Sequence, residues 1–537
     1  MKPAKRYEAT GDYVGPGSVF SERLNMPIEG DFQIKWDDLG KCEIKCVPRN
    51  LHPLHSLLIA QDFEQFRELR VSTTEGIFYA PRCFLDKTEI RMGESGNGSQ
   101  LIFVTLAAMF SMVPSKAPVF WNAPVLNFLM DLRPAQNPNP HPIQVSRLFR
   151  ESDCEASVGD AIALDGIRPR AVTFAFAEKL AFVEHLPNYD EGKRKLQEGD
   201  EQILATSMFV GSIPEQADQT IDGVKDWFPQ DAILALTLAT GTQCSLGFIE
   251  LRDSQGDLCQ RLHLNFINGP YHQGHLTVSD HIHNDYGTSG VGALISGILS
   301  LPEERRQTVR MLIDTIETTQ TFLQVPDHAF AFIVRGLDGL ANSLQLTRTN
   351  LADALPSAEA TEVKTILRNA KREILKLNKS RDNSGESTSS NLLDRIASRA
   401  EQAGSIEDSF GLSMTRVLQH FSLRDQEAIE AYYAKDPRAD GLTWNQALNK
   451  YRGGVIHRGF LDYSTGIVMD DVVCLTRHLL DVAIRVCLKE AGYVGTYNPF
   501  NRTAMQQNQI DWVADETSIA QFGFNGRTPK LFKTIGF

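Results

Sequence analysis

Hydrophobic and polar positions alternate along the first part of the chain. In "DFQIKW", Phe32, Ile34 and Trp36 fall on one side and Gln33 and Lys35 on the other. "CEIKCV" repeats the rhythm, with Cys42, Ile44 and Cys46 sharing a side. A period of two marks a half-buried strand, because successive side chains leave opposite faces of the pleat. "RCFLDKTEI", "QLIFVTLA", "RAVTFAF", "ATSMFV", "LGFIEL" and "CQRLHLNF" add β-branched and aromatic runs between Gly, Pro and Asn turns. Together they predict an antiparallel, sandwich-like β-rich region over residues 1–300, with room for two subdomains and a few short helices.

From about Leu301 the period lengthens to that of a helix. "LPEERRQTVRMLIDTIETTQTFL" places Pro302 in a first turn with glutamates close behind, where the helix dipole favours them. "DHAFAFIVRGLDGLANSLQL" follows, then "ATEVKTILRNAKREILKLNK". In this third segment Val363, Ile366, Leu367, Ala370 and Ile374 form an apolar stripe. Lys364, Arg368, Arg372 and Lys376 recur every four residues on another side, joined by Lys371.

"SRDNSGESTSSN", Ser380 to Asn391, has no apolar residue and reads as a mobile loop. Helices resume in "NLLDRIASRA", "SMTRVLQHF" and "LRDQEAIEAYYAK", the last opened by Ser422 and Asp425 at capping-box spacing. Thr443 and Gln446 form a better box before "WNQALNKYRGGVIHRGF". The last long helix is apolar at Val468, Val472, Leu475, Leu479, Val482 and Val486, and Gly492 can terminate it. The expected fold is therefore α+β: the β-rich region, an all-helical bundle over 301–495, and an irregular tail over 496–537.

Composition narrows the function. With 537 residues the chain exceeds one ordinary core, and 42% hydrophobic with 23% charged residues is a globular balance. No apolar run approaches the roughly 20 residues of a membrane span, and the start has no secretory apolar segment. Eight scattered cysteines without a CxxC pair suit reduced thiols in a cytoplasm. A net charge of -13 argues against a general polyanion binder while leaving room for a local basic groove.

The stretch that carries chemistry is "YRGGVIHRGF", in which Arg452 and His457 form an R-x-x-x-x-H pair around Gly453 and Gly454. Histidine titrates near neutrality and can move a proton. Arginine presents a planar, permanently charged fork that matches phosphate. Five residues on an ideal helix amount to about 140° of rotation, so the two do not share a face. A distorted helix or a second subunit would bring them together, and adjacent glycines permit bending or close approach.

An arginine and a histidine at this spacing, near the end of the penultimate long helix of a helical bundle, resemble the HEPN superfamily, whose nucleases carry R-x(4–6)-H there. With a β-rich front half, the arrangement looks most similar to the ApeA-like antiphage proteins. The motif covers about ten residues, and the helical pattern extends the likeness to roughly Leu301–Gly492. The resemblance implies a metal-independent endoribonuclease with Arg452 and His457 catalytic, no cofactor, and cellular RNA, transfer RNA foremost, as substrate. It further implies a homodimer or higher homo-oligomer with both motif copies lining one cleft, and a cytoplasmic antiphage role set off by a phage-derived trigger. The family usually places a polar residue directly after the arginine; here it is Gly453, and Asn445 stands where an acidic residue would strengthen the match.

Other readings stand beside this one. Arg452 could cap a helix that ends at Gly453, leaving His457 in a loop. The helical half could be a catalytically silent module that dimerises or binds nucleotide or RNA, with the β half recognising a partner. Lys364, Arg368, Lys371, Arg372 and Lys376 could hold an RNA backbone or be a solvated helix face. Tyr432, Tyr433 and Tyr463 could stack on bases or pack in the bundle. His272, His275, Asp280, His281, His283 and Asp285 are dense enough for a metal site, though in no recognised ligand spacing. "GTSGVG" at 287–292 lacks the lysine of a phosphate-binding loop.

Overall fold

The computed structural model describes residues 11–36, 42–51, 65–93, 96–113, 117–130, 171–176, 179–186, 189–254, 256–264, 277, 287–350, 355–382, 396–397, 405–407, 409–423, 443–458, 461, 469–493, 496–497 and 511–512, with backbone alone at some of these positions, 453–458 among them.

Six strands open the chain: β1 (Gly11–Ser21), β2 (Met26–Trp36), β3 (Cys42–Pro48), β4 (Gln65–Ser72), β5 (Gly76–Gly93) and β6 (Gly96–Met112). All neighbours are antiparallel, in the order β3-β2-β1-β4-β5-β6. β6 then returns to β3, with Glu43 opposite Val104 and Cys46 opposite Leu101, which closes the sheet into a barrel. The expected sandwich is therefore corrected to a barrel. The alternation is the same for both, and closure depends on long strands that bend. β5 and β6 supply that bend through register shifts between Tyr79 and Arg82 and between Leu85 and Lys87.

The alternating residues point inward as the pattern required. Phe32, Ile34, Ile44 and Cys46 are fully buried, and Trp36 and Cys42 nearly so. Phe66, Phe78, Phe103 and Phe110 join them, with Tyr13 stacked on Phe110 at 4.1 Å and Phe66 edge-on to Phe103 at 5.0 Å. At roughly 25 cal/mol per Å² of apolar surface, each fully buried phenylalanine contributes on the order of 2–3 kcal/mol. The described part of the barrel is thus a packed core.

The far half of β6 continues the sheet outside the barrel. It pairs with β13 (Leu258–Leu264), followed by β12 (Ile249–Arg252), β7 (Phe120–Leu126), β10 (Ala205–Ser212), β9 (Lys179–His185) and β8 (Ala171–Phe176), while β11 (Ser245–Leu246) adds to β7. Here the core includes charges. Glu250 accepts hydrogen bonds from Arg252 Nε at 3.0 Å and Nη2 at 2.5 Å, and from Arg261 Nη2 at 2.7 Å. The Arg261 guanidinium lies 4.7 Å from the Phe248 ring centre and 5.3 Å from that of Trp36. Helices α1 (Tyr189–Glu198), α2 (Ile221–Trp227), α3 (Ala232–Thr240) and α4 (Gly287–Leu299) belong to this part of the chain. "GTSGVG" falls within α4, in a helix rather than a phosphate-binding loop.

The helical stretch holds α5 (Glu303–Thr321), α6 (Pro326–Ser343), α7 (Ser357–Asp382), α8 (Phe410–His420), α9 (Trp444–Arg458) and α10 (Met469–Glu490). It also contains a two-stranded ladder, β14 (Arg348–Asn350) with β15 (Ser405–Glu407), so it is not purely helical. Val472, Leu475, Leu479, Val482 and Val486 are fully buried on α10. Gly492, in the left-handed conformation at φ +63°, closes that helix as its N–H reaches the Lys489 carbonyl. Ser422 also has positive φ, at 53°, and its N–H bonds to the Gln419 carbonyl just past α8; Asp425 and the helix the two were expected to open lie outside the described residues.

The described residues divide into two compact units, one drawn from 1–313, 487–499 and 509–537 and the other from 314–486 and 500–508. None of the seven described cysteines forms a disulfide. No helix among the described residues is long and apolar enough to cross a membrane.

Candidate functional site

Helix α9 begins as its sequence prescribes, with the Thr443 N–H donating to Gln446 Oε1 at 3.0 Å. Trp444, Ala447, Leu448 and Tyr451 recur at helical spacing and are buried, which fixes the face that α9 turns inward. Trp444 packs edge-on against His478 of α10 at 4.5 Å between ring centres, and Tyr451 Oη donates to Asp471 Oδ2 at 2.7 Å. Burial, aided by the positive charge of Arg485, pushes His478 down to about 3, so it is a neutral core imidazole.

The helix does not stop at Gly453. Its backbone runs through both glycines to Arg458, which removes the reading of Arg452 as a cap on a helix ended by Gly453. On this unbroken helix positions 452 and 457 stand about 140° apart around the axis. The glycines leave that part of α9 without side-chain bulk and do not bring the two positions onto one face. The side chain of His457 lies outside the described residues.

Arg452 sits at the edge of the buried stripe with its side chain 31% exposed. Two other helices contribute to its setting. Asp338 of α6 accepts from Arg452 Nη2 at 3.2 Å, its own carboxylate 30% exposed. Phe410, the first residue of α8, lies beneath the guanidinium at 5.3 Å from ring centre to Cζ. Arg452 Nε is buried without a hydrogen-bond partner among the described residues.

Local sequence explains how Phe410 arrives there. Ser409 caps α8 by accepting from Leu412, and the Gly411 N–H donates to Asn449 Oδ1 of α9 at 2.8 Å. A Cβ at Gly411 would collide with the Asn445 carbonyl, so only glycine lets α8 start this close to α9. Neither Asp338 nor Phe410 was singled out from the sequence; Asp338 is 114 residues from Arg452, and no local pattern links them.

The five basic residues of α7 occupy one long helix. Lys364, Arg368, Arg372 and Lys376 are exposed and Lys371 is partly buried. Lys376 pairs with Glu373 at 2.7 Å across exposed surface. The apolar stripe differs from expectation: Ile366 is 58% exposed, Ala370 is exposed, and Val363, Leu367 and Ile374 are only partly covered. The buried positions described on α7 are Ala360 and Asn378 instead, because its middle turns meet no described core. The helix also runs through Asp382, past the expected start of the loop.

The histidine cluster from His272 to Asp285, the tyrosines 432, 433 and 463, and residues 383–391 lie outside the described residues. Among those described, no group of three or more His, Cys, Asp or Glu side chains could hold a metal ion. No family model matches the chain, and neither a curated protein nor a solved structure does so.

Proposed function

We propose that the chain is a metal-independent endoribonuclease of HEPN type, cleaving cellular RNA, transfer RNA foremost, in antiphage defence. The observation that carries this reading is Arg452: a guanidinium braced by Phe410 and still partly open to solvent, on the same unbroken helix as His457. In the reaction, the RNA 2′-oxygen forms a bond to the adjacent phosphorus as the bond to the 5′-oxygen breaks. His457 moves the proton as general base or acid, and Arg452 stabilises the charge that builds on the phosphoryl oxygens. The 140° separation favours a homodimer, in which two copies of the motif line one cleft. The basic face of α7 would extend the track for the RNA backbone, and the β-rich part would restrain the nuclease until a phage-derived signal arrives.

The pairing of Arg452 with Asp338 supports a second reading, in which the arginine is satisfied internally and the helical part only dimerises or binds nucleotide or RNA. The experiment that separates them compares wild type, Arg452→Ala and His457→Ala, co-expressed with the trigger or overproduced, for RNA integrity with and without EDTA. The nuclease reading expects cleavage that survives chelation and is lost in both variants. Cleavage retained by both would remove it.

A further inference from the structure

The contact between Asp338 and Arg452 bears on how the site would take up a substrate. Phe410 covers one face of the guanidinium and Nε is buried, so an incoming anion must approach in the plane, along the outer Nη edge. Asp338 Oδ2 already engages one of the two outer nitrogens, through a single contact to Nη2 at 3.2 Å. Both partners are about one-third exposed, which puts the pair among ion pairs that solvent and a competing anion can displace. A phosphodiester would offer the same guanidinium two acceptor oxygens in fork geometry, against the one Asp338 contributes.

We infer that Asp338 is an internal competitor for the substrate phosphate, a residue that sets how tightly the site holds RNA by neutralising Arg452 until a phosphodiester displaces it. This rests on the reading of Arg452 as the phosphate-binding group. It assigns Asp338 a role opposite to that of a positioning carboxylate, whose removal would loosen Arg452 and weaken binding.

The test uses the full chain and a 2′-O-methyl RNA oligonucleotide, which cannot be cleaved, with affinity read by fluorescence anisotropy. Asp338→Asn keeps the size and removes the charge, and should tighten binding about 2- to 5-fold, the span corresponding to a partly exposed ion pair. Asp338→Ser should do the same, so that a packing fault in one variant does not decide the matter. The gain should vanish when either change is combined with Arg452→Ala. Unchanged or weaker binding in both Asp338 variants, beside an Arg452→Ala that does lose binding, would overturn the competition and leave the nuclease reading standing. An Arg452→Ala that binds and cleaves like wild type would overturn both.

Discussion

The sheet and the helices each build an arginine from the same parts, a carboxylate and an aromatic ring, with different results. Arg261 on β13 has a side chain 0% exposed, a carboxylate shared with Arg252, and two aromatic rings against it. Arg452 on α9 has one carboxylate at a longer distance, one ring, and 31% of its side chain in solvent. Burial separates the two. A buried ion pair must be complete, because a lone charge there has no water to fall back on. A partly exposed pair contributes little to stability and can be exchanged for another anion. The first arrangement belongs to the fold, while the second can serve a ligand.

The largest expected effect comes from breaking the buried group. Glu250→Ala would leave two guanidinium groups in the sheet without their carboxylate and should cost about 3–5 kcal/mol of stability. A urea melt showing a loss under about 1 kcal/mol would mean that the group is better hydrated than its burial indicates.

Acid should come next, because each region also holds a buried histidine. Burial lowers His263 to about 4, opposed by a hydrogen bond that its ring donates to the Thr105 backbone carbonyl, and lowers His478 to about 3, from an ordinary 6.5. Below 6.5 the unfolded chain binds protons that the folded chain refuses. The stability they lend is therefore complete above 6.5 and lost as pH falls toward the folded values. Between pH 7 and 5 each should cost about 2 kcal/mol. Glu317 acts in the opposite sense: burial, with Asp314 adding to it, raises it to about 7, so its contribution grows as pH falls toward the ordinary 4.5 and offsets about one histidine. The net loss should be about 2 kcal/mol, and His478→Gln should remove its own share of the slope. A pH dependence identical in that variant would refute the assignment.

The smallest effect on stability should come from the exposed arginine. Arg452→Ala is expected to change the folding free energy by roughly 0–1 kcal/mol while abolishing RNA cleavage. A large fall in Tm for this variant would place Arg452 in the same class as Arg261 and remove the contrast.

What the sequence disclosed follows the same division. Phe32, Ile34 and Trp36 could be read because one side of a barrel strand faces the core and the other faces water. Closure could not, since it depends on where residues 101–104 meet 43–46. The charged group was also hidden. Alternation treats Glu250 and Arg252 as a solvent face, yet β12 is buried along its whole length, and only the register that sets Glu250 opposite Arg261 reveals the pairing. At the candidate site the sequence supplied Arg452 and His457 by their spacing. It supplied neither Asp338 nor Phe410, because tertiary packing alone brings their helices to Arg452.

The double use of β6 has a consequence for how the protein is made. Its early residues meet β3, which has already left the ribosome by the time β6 emerges, whereas Ala107–Ser111 wait for β13, far later in the chain. For that interval a nascent chain would carry a finished barrel with one half-strand of unpaired amides and carbonyls along its rim. Such an edge invites pairing with neighbouring chains, so slow translation or crowding on polysomes should favour aggregation before residue 258 is reached.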